Sequence, residues 1–340
     1  MLVSMPWIAY LSLSFLTSLL LLTRAQNVAD FLCRWKFLEE RLNQIILCQP
    51  KQRYPIMVLT AYVSVAVVSF GILIYQLLQN QHASYYWGNL MPAEWAWVGY
   101  VGQHLMVIPT WSSIFVSEAL VVVIAHHFST YYAVLNQRLH TLFRSFTPKT
   151  SRGKMASSLQ RPKSESLTPD HRPPQVDSVY HFIDEDFQEQ FQQTLCVRES
   201  VGDLLDTFNA IFSPIVLASL SMLTIVTVAF FPQILKSGVI TNSVGYLVVA
   251  VSGVIRLIVI VVGQACVHNQ ASITRGVVSK MQLRVVMAGE DHVLLPTALE
   301  HLAATQDAGI SAWGCFTVKR GTLLTITSFI ASYIVIILQF

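Results

Sequence analysis

Runs of about twenty residues poor in charge recur along this chain, and nothing else constrains its folding as much, because a helix of that length crosses the ~30 Å hydrocarbon core of a bilayer. Six can be marked, at residues 2–22, 56–78, 98–126, 207–231, 243–265 and 321–340. In lipid every backbone N–H and C=O must be paired within the segment, so each run is expected as a helix. The composition agrees: 53% of residues are hydrophobic and 12% charged, where a soluble domain carries about 25% charged residues. The expected fold class is an all-α integral membrane protein with six predicted transmembrane helices. The first run could be read as a cleaved signal, but no Lys or Arg precedes it and the positives begin after it at Arg24, so a true span is the better reading.

The basic residues orient these spans. Of the 22 Lys and Arg, all but Lys236 and Arg256 fall in 24–54, 131–206 and 268–321. The positive-inside rule puts those three loops in the cytoplasm and both termini outside. That distribution explains the small net charge of +3 without nucleic acid. Five cysteines, with no C-x-x-C and no Cys/His metal spacing, give no support to a metal site or a disulfide-stapled exterior.

Between the spans the layout is uneven. In 24–54, Phe31, Trp35, Leu38, Leu42, Ile45 and Ile46 keep helical spacing and predict an amphipathic helix. The third span continues past His126 as a polar helix. Residues 147–178 are rich in Pro, Ser and Thr and lack aromatics, the composition of a disordered linker. An acidic amphipathic helix over 179–206 feeds the fourth span, which Pro232 should end. The fifth span also extends as a polar helix, and a further amphipathic helix is expected over 294–305.

Three groups of residues carry chemistry. On the last span Thr322, Thr325, Ser328, Ser332, Val335 and Gln339 follow helical spacing and so share one face, polar at all positions but Val335. Such a stripe should meet protein or water rather than lipid; ordinary Ser/Thr packing between membrane helices is the plainer reading. Second, Tyr100, Gln103, His104 and Trp111 on the outer half of the third span, Tyr75 and Gln76 at the outer end of the second and Tyr246 on the fifth could wall a pocket for a small organic ligand. An interfacial aromatic belt accounts for Trp95 and Trp97, and for Tyr100, His104 and Trp111 belt and pocket stay equally open. Third, Arg256 lies near the middle of the fifth span, where a charge costs at least ~2.5 kcal/mol unless it faces protein or water. Glu118 on the third span is a candidate partner; snorkelling of Arg256 is the alternative. His126-His127 lacks the i, i+4 spacing of a helical metal site, and Asp184-Glu185-Asp186 reads as a solvated helix face. No G-x-S-x-G, P-loop or H-E-x-x-H occurs, so neither an enzyme nor a cofactor is implied.

The ending, Ser332-Tyr333-Ile-Val-Ile-Ile-Leu-Gln339-Phe340, resembles the Thr-Tyr-(five hydrophobic)-Gln-Phe signature that closes the last helix of arthropod gustatory receptors, related to insect odorant receptors. Ala312-Trp313-Gly314-Cys315-Phe316-Thr317-Val318-Lys319-Arg320 is similar to that family's approach to its last helix, and Ala133 to Leu139 to the end of its extended fourth helix. The family has seven spans, so the six found here would be its second to seventh, with the first absent. The resemblance implies a tetrameric, ligand-gated, non-selective cation channel in the plasma membrane of a chemosensory neuron, a homo- or heterotetramer whose partners are other gustatory receptor subunits, the lipid bilayer and a small-molecule tastant. It divides the chain into transmembrane helices and an outer ligand pocket over 1–130, a cytoplasmic loop over 131–206, transmembrane helices over 207–265, cytoplasmic anchor helices over 266–320 and a pore-lining helix over 321–340. Thr322, Thr325, Ser328 and Ser332 would keep water against the pore wall, and Val335 or Ile336 with Gln339 and Phe340 would form the gate, closing by dewetting and by a ring of Gln339 side chains. No acidic ring lies on the stripe, so cation selectivity would rest on dipoles. The alternatives are a G-protein-coupled receptor-like signalling protein, against which no Asp-Arg-Tyr or Asn-Pro-x-x-Tyr stands at the required helices, and a small-solute transporter, against which no internal repeat or paired broken helix is found.

Overall fold

A computed structural model describes residues 5–45, 92–145, 185–236, 240–287 and 308–339, together with isolated helical positions 60, 64, 67 and 71. The expected second span, the linker over 147–178 and the amphipathic helix over 294–305 lie outside the described residues, apart from those four positions. Helix α1 (Met5–Thr23) passes almost directly into α2 (Ala25–Ile45). A short 3₁₀ turn (Ala93–Trp95) opens α3 (Ala96–Ser145), and α4 (Glu185–Lys236) and α5 (Ile240–Met287) follow. A two-stranded hairpin, β1 (Ser311–Ala312) and β2 (Phe316–Thr317), then leads into α6 (Arg320–Gln339).

Helix length separates these elements by task. α3, α4 and α5 hold 50, 52 and 48 residues, about 75, 78 and 72 Å at 1.5 Å per residue, more than twice the hydrocarbon thickness. α6, with 20 residues, is about 30 Å long and spans without surplus. Among the described residues four stretches are long and apolar enough to cross a membrane: Ser112–Arg144, Glu189–Phe231, Ala250–Lys280 and Arg320–Ile337. The chain is an all-α, multi-pass membrane protein, with the hairpin as a local exception in 266–320, where helices alone are expected.

Two contacts set the register of the long helices. Glu118 meets Arg256 and Asn136 meets Thr274, the same offset along both helices, so α3 and α5 run in the same direction. α4 runs back between them: a Cβ on Gly253 would touch Thr227, whereas further along α5 His268 lies beside Gly309, which Asn209 of α4 holds. The polar ends of all three therefore emerge together beyond one side of the bilayer.

The core fills the space among them. Phe128 and Leu135 of α3, Phe208, Phe212 and Leu223 of α4 and Val261 and Val267 of α5 are buried in one cluster. The expected face of α2 joins it: Phe31, Leu38 and Leu42 are buried and Trp35 packs on their edge. Phe31 lies against Phe208 and Phe212 at 6.0 Å, and Trp35 donates its indole N–H to the Tyr131 hydroxyl at 3.0 Å. Helix α4 does not end at Pro232 but continues a turn to Lys236. A proline forfeits one intrahelical hydrogen bond, and in a bilayer abandoning the helix altogether leaves more backbone unpaired.

Candidate functional site

The sequence-predicted residues fall in three places. Thr322, Thr325, Ser328, Ser332, Val335, Ile336 and Gln339 all lie on α6, and Phe340 is outside the described residues. The body of the chain covers the other side of this helix: Leu323, Ile326, Ile330, Ile334 and Ile337, again at helical spacing, pack on the core cluster. At 100° per residue the centre of that face lies nearly opposite the centre of the polar stripe. Thr325, Ser328, Ser332, Val335, Ile336 and Gln339 are exposed and Thr322 is half-buried. Apolar shoulders flank the stripe. Phe329 and Tyr333 stack at 6.0 Å on one side, and Leu324 stands out on the other. The whole helix is unusually bare. The other three spans bury 44%, 61% and 56% of their most apolar stretch within the chain, and Arg320–Ile337 only 6%.

The hydroxyls of the stripe are not idle donors. Thr325 Oγ1 donates to the Gly321 carbonyl at 3.2 Å and Ser332 Oγ to the Ser328 carbonyl at 2.8 Å. Thr322 Oγ1 accepts the Lys319 N–H at 3.1 Å. With its proton turned back onto its own helix, the Thr325 or Ser332 oxygen presents lone pairs outward, an arrangement that suits a cation better than an anion.

The structure brings Glu118 and Arg256 together. Arg256 donates from Nη2 at 2.6 Å and from Nε at 3.0 Å to the same oxygen, Glu118 Oε2. The two side chains are 1% and 3% exposed. The guanidinium carbon lies 4.3 Å from the centre of the Phe115 ring, a cation–π contact that covers the other flank of the charge. Nearby, Ser14 of α1 and Ser113 of α3 share a hydrogen bond at 2.6 Å.

The expected pocket is not assembled from described side chains. Tyr100, Gln103, His104 and Trp111 lie on α3 and Tyr246 on α5, their side chains outside the described residues; Tyr75 and Gln76 lie outside them altogether. His126 and His127 are half-buried, with His127 edge-on to Trp35 at 5.3 Å. Among the described residues no three His, Cys, Asp or Glu gather as a metal site.

Two polar ties have little announcement in the sequence. Asn136 donates from Nδ2 to the Gln270 carbonyl at 2.8 Å and accepts at Oδ1 from the Thr274 hydroxyl at 2.6 Å, fastening α3 to α5 in their polar halves. Pro214, inside α4, has no N–H to offer Ala210. The freed Ala210 carbonyl accepts from Arg24 Nη1 at the α1–α2 junction. A proline inside an apolar run was the visible signal for this second tie; its partner was not.

No family model matches the chain, and no curated protein matches it in sequence. Among solved structures it is similar to an insect olfactory receptor from Machilis hrabei, with a TM-score of 0.64 at 10% identity over 99% of this chain and 81% of that one. At that identity the likeness concerns the fold, shared along nearly the whole chain.

Proposed function

We propose that this chain is a subunit of a ligand-gated, weakly selective cation channel of the chemoreceptor kind, with α6 lining the pore. The observation that carries the reading is the bare face of α6. A polar stripe turned directly away from its own subunit would be costly in lipid, and its apolar shoulders are suited to neighbouring copies of the same helix. Four such helices around an axis would cover Leu324, Phe329 and Tyr333 and leave Thr325, Ser328, Ser332 and Gln339 facing a water-filled lumen. The outward lone pairs of Thr325 and Ser332 favour cations without an acidic ring. The fold shared with an insect olfactory receptor supports a chemoreceptor, and the ending of α6 supports the gustatory branch with a small tastant as ligand. In this reading Glu118 and Arg256 brace the ligand-binding half of the subunit, the residues from Tyr75 to Tyr246 named above line the pocket, and the assembly is a plasma-membrane tetramer.

The test is electrical. Cells expressing the chain, alone and with candidate partner subunits, are challenged with sugars, bitter compounds and amino acids while G-protein signalling is blocked. Inward current that survives the block is expected. Exposed Cys33, Cys196 and Cys315 are first replaced by Ser; Thr325→Cys and Ser332→Cys should then be blocked by a water-soluble thiol reagent and Ile330→Cys should not. Current abolished by the G-protein block, equal modification of all three positions, or a cytoplasmic C-terminal tag refutes the reading.

A further inference from the structure

One amide side chain makes two hydrogen bonds to the hairpin that leads into α6. Asn209 of α4 donates from Nδ2 to the Gly309 carbonyl at 2.9 Å and accepts at Oδ1 from the Ser311 N–H at 2.9 Å. It thus pairs with the backbone at the entry to β1 as the edge of another strand would. One turn along α4, the Ser213 carbonyl accepts the Trp313 N–H at 3.1 Å. That contact is made from a turn in which Trp313 has φ 50° and Gly314 φ 71°. Gly314 takes this conformation freely, but for a bulky residue such as Trp313 it is strained and persists only where the surroundings impose it.

On its far side the hairpin has no slack against α5. His268 Nδ1 lies 3.3 Å from the Ala308 carbonyl. A Cβ at Gly309 would sit 2.7 Å from Thr317 Cγ2 and 3.3 Å from His268 Cβ, so a larger residue there would have to displace Thr317. The Val318 N–H closes the hairpin on the Ile310 carbonyl at 2.9 Å, and the Lys319 N–H is taken by Thr322 Oγ1 in the first turn of α6. Only Val318 and Lys319 separate β2 from α6. The α4 turn that grips the hairpin is also the one that Pro214 opens and Arg24 fills.

From this arrangement we infer that Asn209 is a positioning residue for the pore helix, tying the start of α6 to α4 so that movement of α4 against α5 reaches α6 as displacement of the hairpin. The inference rests on the pore reading of α6. A freely hinged linker would absorb such movement; a short hairpin clamped between two helices transmits it.

Two measurements on the full-length protein in nanodiscs and planar bilayers test it. In Asn209→Ala the Ser311 amide loses its acceptor, and its hydrogen exchange should quicken by about tenfold or more while exchange along α3 and α5 stays unchanged. Asn209→Asp keeps an acceptor for Ser311 and should retain most of the protection; Asn209→Leu, close in size and without a polar atom, replaces the alanine variant in both measurements should that variant not fold. In single-channel records with potassium as the permeant ion, Asn209→Ala should shift open probability by about fivefold or more at unchanged unitary conductance. Unchanged Ser311 exchange overturns the inference, as does faster exchange with unaltered open probability. If the unsubstituted protein, alone and with candidate partner subunits, shows no unitary events in the presence of the sugars, bitter compounds and amino acids named above, the channel reading fails and takes the pore half of the inference with it, whereas the exchange result still decides whether Asn209 holds the hairpin.

Discussion

Removing either member of the Glu118–Arg256 pair should destabilise this protein far more than removing both. At an effective dielectric constant of about 20, opposite charges some 3 Å apart attract by about 5 kcal/mol, and the desolvation of two groups only 1% and 3% exposed consumes much of that gain. Glu118→Gln takes the Glu118 charge away from the buried Arg256 guanidinium beside Phe115, at a cost of about 3–5 kcal/mol. Glu118→Leu with Arg256→Met replaces both charges by apolar groups of similar size, and such exchanges are commonly neutral or stabilising by about 1–4 kcal/mol. Loss of the Phe115 cation–π contact, about 2 kcal/mol when desolvated, takes part of that back, so the double variant should melt within a few degrees of the unsubstituted protein. For 340 residues an unfolding entropy of about 0.7 kcal/mol/K follows from the usual value per residue. Glu118→Gln should then lower the melting temperature by about 4–7 °C. Fluorescence-detected size-exclusion after a heating series measures this in detergent. Additive losses in the double variant, or a single variant that melts with the unsubstituted protein, would refute the idea that the two charges are coupled within the bundle.

The Pro214 tie predicts an unusual double-mutant cycle. Arg24→Ala should cost about 1–3 kcal/mol, the penalty of a stranded carbonyl, but much less in a Pro214→Ala background, where residue 214 regains an N–H for Ala210; equal costs in both backgrounds would show that Arg24 acts elsewhere. Asn136→Leu should also cost about 1–3 kcal/mol, because the Thr274 hydroxyl and the Gln270 carbonyl lose their partner, and the melting loss should shrink when Thr274→Val is added; a loss that is instead additive would argue against the triad.

Much of this architecture is legible in residue order. Charge-poor runs of bilayer length, continued at one end by polar helical stretches, predict α3, α4 and α5 as long helices, and the spacing of Phe31, Leu38 and Leu42 predicts the buried side of α2. These features are local: helical period and the cost of unpaired backbone in lipid act within one segment. The hairpin was not legible, because two strands of two residues carry no periodicity and Trp313 is a poor advertisement for a left-handed turn. Asn209 was silent for a related reason, since its two partners lie about a hundred residues away in sequence.

The residues alone determined that Arg256 must turn toward protein or water and that the last span has a polar side. The tertiary structure decided that Arg256 meets Glu118, because the parallel register of α3 and α5 sets them at one level. It also decided which side of α6 the rest of the chain covers. Leu323, Ile326, Ile330, Ile334 and Ile337 take the available apolar surface of the core, and the stripe from Thr325 to Gln339 is left facing outward because one helix cannot bury opposite sides against the same body.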